Sequence, residues 1–158
     1  MASIGSSKGI NRKLKYHEPF FRFPDKPGVT IQEHVISRTV IEMKYLFLFN
    51  DSPHGNQRSY NGLRLAVALA KSDGASMRVF LLGDGILCGL AKLNPAHADY
   101  NPQEMLRQVN SCGVQIGVCG TCMDARGISD QLLIAEAKRS SMDELRLWVD
   151  DCDKVLTF

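Results

Sequence analysis

The stretch KYLFLFN, Lys44–Asn50, is a short and almost continuous apolar run. Strict alternation would mark a strand with one wet face. A run that is apolar at both parities fits a strand covered on both faces, as in a parallel sheet with helices above and below it.

Reading outward from it, RSYNGLRLAVALAKSDG places Leu63, Ala66, Val67 and Ala70 at helical spacing, with Gly74 as a stop. SMRVFLLGDG (76–85) reads as a second buried strand ending in a Gly-Asp-Gly turn, and ILCGLAK (86–92) as a short helix. LNPAHADYNP is a polar loop punctuated by proline. PQEMLRQVNSCG (102–113) predicts a helix with Pro102 in its first turn and Gly113 at its end. VQIGVC is a third strand, a loop and helix are expected over about 121–138, and SMDELRLWVDDC opens with a Ser-x-x-Glu capping box, Ser141 to Glu144. DKVLTF closes the chain as a fourth core strand.

Strands alternating with helices predict an α/β fold: an open, mainly parallel sheet of four to five strands with helices on both faces, layered like flavodoxin or a Rossmann domain. Sheets of this kind bind ligands beyond the carboxyl ends of their strands. On that edge the sequence collects NDSPHGNQ (50–57), GDG (83–85) and CGTCMDARG (119–127).

Composition narrows the function. A chain of 158 residues supports one core domain, taken as 43–158, preceded by an extension, 1–42, with a mobile start and a possible extra strand at 29–40. The extension carries seven Lys/Arg against four Asp/Glu and the remainder twelve against thirteen, so the domain is near neutral. That balance gives no electrostatic case for nucleic acid. No apolar run reaches the roughly 20 residues of a membrane helix. The leader lacks an apolar signal core, so the expected compartment is the cytoplasm.

Five cysteines, Cys88, Cys112, Cys119, Cys122 and Cys152, then point away from structural disulfides and toward buried, catalytic or metal-binding thiols. Cys119 and Cys122 form a C-x-x-C at the end of the third strand, where backbone N–H groups of the following turn, with Gly120 and Thr121 between the thiols, favour a thiolate. Arg126 could add a positive charge. His54 is expected on the same edge, within range of a thiolate or simply solvated, and Asp84 either caps a helix or faces the pocket. Cys112 and Cys152 read as structural, and Cys88 as packing in the core or, alternatively, lining the pocket.

Three chemistries compete for the pair. A zinc site needs four ligands, and the one C-x-x-C has no matching second pair; Cys112 is expected at the far end of the strand, about 15 Å away. A thioredoxin-like redox centre would place the motif near the first βαβ unit rather than in the last third. A nucleophilic thiol with a helper remains. Neither G-x-G-x-x-G nor a P-loop is present, so no nucleotide cofactor is proposed, and no metal or other cofactor is expected.

KYLFLFND, NGLRLAVALA, VFLLGDGI and above all VCGTCMDARGI make residues 44–158 resemble the DsrE/DsrF-like family, which includes subunits of bacterial sulfur-relay complexes. The resemblance implies a small parallel α/β domain that assembles as a homo-oligomer, a trimer or hexamer, with a pocket cysteine near a subunit contact. By position Cys119 matches the sulfur-carrying cysteine, which would hold sulfur as a persulfide between donor and acceptor proteins. Cys122 is found in one subgroup only. The reading is therefore a cytoplasmic sulfur carrier or sulfurtransferase-like protein using Cys119 and Cys122; the alternative is a non-enzymatic oligomeric binding or thiol redox-sensing module.

Overall fold

The computed structural model describes residues 42–72, 75–92 and 100–158. All of the expected extension except Glu42, and most of the loop after Lys92, lie outside them. Five strands, β1 (Met43–Phe49), β2 (Ala75–Leu81), β3 (Gln115–Cys119), β4 (Ala137–Ser140) and β5 (Lys154–Thr157), form one sheet in the order β4-β3-β2-β1-β5. Every adjacent pair is parallel. The helices are α1 (Arg58–Ala70), α2 (Pro102–Ser111), α3 (Gly120–Asp124) and α4 (Met142–Asp150). None of these is long and apolar enough to cross a membrane.

This strand order fixes the layers. From β1 to β4 each strand lies beside its predecessor in one direction, and right-handed crossovers then put α1, α2 and α3 on one face. β5 returns to the far side of β1, which sends α4 across the opposite face. Packing agrees: Leu63 and Ala66 of α1, Leu106 and Val109 of α2 and Met123 of α3 share one core with Phe47, Val79 and Val118. Leu145 and Trp148 of α4 pack instead on Leu46, Phe80 and Cys119.

Two glycines let the layers close. A Cβ on Gly62 would sit 2.5 Å from Phe158 and 2.7 Å from Phe49, so its absence admits the stacked rings of Phe49 and Phe158 against α1. Gly85 is tighter still, because a Cβ there would lie 2.0 Å from the Phe49 carbonyl oxygen. The turn after β2 therefore rests directly on the end of β1.

Two local expectations change. The segment read as a loop and helix to 138 is the five-residue α3, a single 3₁₀ turn at Asp130–Leu132, and β4. β4 escapes a hydrophobic pattern because it is an edge strand of sequence AKRS, of which only Ala137 is buried. The short helix expected at 86–92 is a 3₁₀ helix that starts and ends earlier, Gly83–Gly89. The Ser141 cap forms as expected, its Oγ accepting the Glu144 N–H at 3.2 Å, while the Glu144 carboxylate turns to the Ser140 hydroxyl at 2.6 Å rather than back to Ser141.

Candidate functional site

β3 and β4 are neighbours, yet the chain leaves β3 toward the α1/α2 face and leaves β4 toward the α4 face. The point where the two departures diverge is a topological switch point, the place where parallel α/β sheets bind ligands. Cys119 and Ser140, partners on the last rung of the β3–β4 ladder, stand at that point.

Cys119 caps α3. Its sulfur accepts the Cys122 backbone N–H at 3.4 Å, lies 3.3 Å from the Thr121 hydroxyl, and receives the Cys122 thiol at 2.6 Å. The residue is 2% exposed, with its side chain in the α4-side core, whereas Cys122 is half-buried and touches both cores. Both thiols are free.

The environment separates the two acidities. Burial pushes the Cys119 thiol up, but the hydrogen bonds from the Cys122 thiol, the Thr121 hydroxyl and the N–H groups of Cys122 and Thr121 outweigh it and hold the group below the ordinary cysteine range. For Cys122, burial and its hydrogen bond to Cys119 raise the pKa, against a smaller lowering by the Gly83 N–H and Arg126. The result is a Cys119 that loses its proton more readily than Cys122, with the Cys122 thiol donating to it.

The remaining expected residues fall into place around this pair. Gly120 separates the two thiols in a space where a Cβ would meet the Arg139 guanidinium at 3.0 Å and the Ser140 carbonyl oxygen at 3.1 Å. Arg126 donates to the Cys122 carbonyl at 3.0 Å and through Nε and Nη2 to Asp84 Oδ1 at 3.2 and 2.5 Å. Asp84 is thus the partner of Arg126. His54 stands on the loop after β1, its ring centroid 5.5 Å from that of Tyr100, and no hydrogen bond among the described residues joins it to either thiol. Cys88 is fully buried in the α1/α2 core, where burial pushes its thiol up to about 12 against a smaller lowering by the neighbouring Ser59 side chain. Cys152 is half-buried and donates to the Val149 carbonyl at 3.3 Å; Cys112 is exposed after α2.

Sequence reasoning missed two contributors. The Gly83 N–H donates to the Cys122 sulfur at 3.3 Å, from a backbone turn whose φ of +55° favours glycine. Arg139 spans α3 from the β4 side, bonding Asp124 at 2.5 Å and approaching Asp130 at 3.5 Å. The Gly-Asp-Gly turn carried a signal for the first; the second arose from a strand that the polar pattern concealed. Among the described residues no group of three or more His, Cys, Asp or Glu is placed to hold a metal ion.

Comparison with known proteins follows the same outline. The chain is similar to Protein YchN of Escherichia coli, 37% identical over 116 residues that cover 73% of this chain and 98% of that protein. It is also similar to a Protein TusC homolog of Aliivibrio fischeri, 25% identical over 115 residues, 71% of this chain and 96% of that protein. The crystal structure of the E. coli ychN protein superposes with a TM-score of 0.69, covering 73% of this chain and 99% of that one. The model of the DsrE/DsrF-like family matches residues 43–158, from the first residue of β1 through the C-x-x-C to Phe158, and the chain belongs to that family.

Proposed function

We propose that this protein carries sulfur in a relay, with Cys119 as the acceptor and Cys122 as the thiol that resolves it. The observation that supports the reading most is the division of labour within the pair: the Cys119 thiol is held below its ordinary value and the Cys122 thiol above it, sulfur to sulfur at 2.6 Å. The DsrE/DsrF-like family includes sulfur-relay subunits, and Cys119 occupies the strand-end position that the resemblance assigns to their carrier.

The chemistry needs no bound cofactor. The Cys119 thiolate attacks the terminal sulfur of a persulfide or polysulfide donor, forming Cys119–S–SH and releasing the donor as a thiolate or shortened polysulfide. Hydrogen bonds from Thr121 and the α3 N–H groups offset the charge of the persulfide anion. An acceptor then takes the outer sulfur, restoring the Cys119 thiolate. Alternatively Cys122 attacks the inner sulfur, which forms the Cys119–Cys122 disulfide and expels hydrosulfide; an external thiol reductant then returns the pair to the dithiol. Because Cys119 is 2% exposed, the donor that enters must present its sulfur on a slim group. A cytoplasmic location suits a dithiol that has to be kept reduced, and a homo-oligomer with donor and acceptor partners belongs to the same proposal.

The 2.6 Å contact also favours a second reading, a dithiol redox sensor that only opens and closes a disulfide. Hydrosulfide release from inorganic polysulfide in the presence of a thiol reductant separates the two. Turnover that vanishes in Cys119→Ser supports sulfur transfer. A protein that forms its disulfide with oxidants yet releases no hydrosulfide above the reagent blank is a sensor.

A further inference from the structure

Charged groups flank α3 on two sides. On the β4 side Arg139 holds Asp124 and Asp130; on the β2 side Arg126 holds Asp84. Only the second set bears on the sulfur of Cys122. Arg126 grips the Cys122 carbonyl and Asp84 at once, and Gly83, the residue before Asp84, aims its N–H at Cys122 Sγ.

We propose that Asp84 and Arg126 are a positioning pair for Cys122: by fastening the turn after β2 to α3, they keep the Gly83 N–H on the Cys122 sulfur and that sulfur against Cys119. The turn is a firm base for this. Gly85 N–H donates to Asn50 O at 3.0 Å and to Leu82 O at 2.9 Å, and Gly85 sits too close to the Phe49 carbonyl to admit a Cβ. The base is thereby fixed to β1, and the Asp84–Arg126 pair ties α3 to the base. The side chains of Asp84 and Arg126 are 59% and 34% exposed, and ion pairs of that exposure contribute little to stability. Placement of the sulfur is the larger consequence, since a displacement of about 1 Å in a reacting group can slow a reaction about 100-fold. The inference concerns the resolving step alone and holds for either a carrier or a sensor.

Methyl methanethiosulfonate, a small reagent suited to the enclosed Cys119, tests it. The Cys119 thiolate attacks the sulfenyl sulfur, forming Cys119–S–S–CH3 and releasing methanesulfinate. Cys122 then loses its proton to solvent and attacks the Cys119 sulfur, closing the disulfide and expelling methanethiolate. Time-resolved intact mass, in a Cys112→Ser, Cys152→Ser background that removes the other accessible thiols, follows the adduct and its collapse to the disulfide. Asp84→Asn and Arg126→Gln remove opposite charges but break the same pair. Positioning predicts that both prolong the adduct, by about tenfold or more, and that Arg126→Lys, which keeps the charge and loses the fork, does so too. Circular dichroism establishes that each variant is folded. Opposite effects of Asp84→Asn and Arg126→Gln would show that charge alone acts, and unchanged adduct lifetimes would show that the pair has no part in the step; either result overturns the proposal.

Discussion

Replacing Thr121 with valine removes one donor from the Cys119 sulfur while keeping the β-branched shape. The hydroxyl stands 3.3 Å from that sulfur, an ordinary distance for an O–H···S contact, and Thr121 itself is exposed. Hydrogen bonds to charged groups are worth about 1.5–3 kcal/mol, and the exposure puts this one at the bottom of the range. Since about 1.36 kcal/mol is a tenfold ratio between the two protonation states, the substitution should raise the Cys119 pKa. Below the pKa the thiolate fraction then falls about tenfold, while the more basic sulfur gains about threefold in intrinsic nucleophilicity, so that alkylation near neutral pH slows about threefold. Ultraviolet thiolate absorbance, titrated against pH and referenced to Cys119→Ser, reads the midpoint directly. Thr121→Ser, which keeps the hydroxyl, should titrate like the parent. A midpoint in Thr121→Val that stays put or moves down would refute the account of how the thiolate is held.

Other expectations follow from the same contacts. Gly85→Ala forces a Cβ against a backbone oxygen at 2.0 Å, so it should cost about 3 kcal/mol of stability, the upper end for overpacking, and lower the midpoint of a urea unfolding curve; a variant as stable as the parent contradicts the close approach. Ser141→Ala removes the N-cap of α4 and should cost about 1 kcal/mol by the same measurement, with no change in the Cys119 titration. Cys88 is held neutral by burial, its folded pKa raised to about 12 from an unfolded value near 8.5. Its contribution to stability is complete below the unfolded pKa and is lost as pH rises toward 12, so alkaline unfolding over that window should weaken in Cys88→Ala, relative to that variant's own stability at neutral pH. A parallel loss in both proteins would disprove it.

The strands with apolar runs were legible because burial on two faces writes itself into composition: KYLFLFN and VQIGVC needed no other signal. β4 was not, since an edge strand with one buried residue in four carries no hydrophobic pattern. The helix after β2 was legible from its apolar residues but not its 3₁₀ form, and its glycines at 83 and 85 revealed their purpose only through the distance to Phe49 and Asn50. Within the site, the sequence located the pair and its edge, since a strand end followed by C-G-T-C allows few other geometries. It could not reveal that Arg126 faces Asp84, 42 residues earlier, or that a backbone N–H of Gly83 reaches a sulfur. Backbone donors have no side-chain signature, and long-range ion pairs depend on register. Nor could it order the two thiols by burial, because Cys119 points into the α4-side core only as a result of where β5 returns.

Central to this account is a sulfur atom held on Cys119. Incubating the Cys122→Ser variant with inorganic polysulfide, trapping with a thiol-blocking reagent and sequencing the peptides by mass spectrometry places any added sulfur on a named residue. The account predicts one added sulfur, on Cys119, accumulating because the resolving thiol is gone, and its absence in Cys119→Ser. Sulfur added at Cys112 or Cys152 with Cys119 unmodified would contradict it.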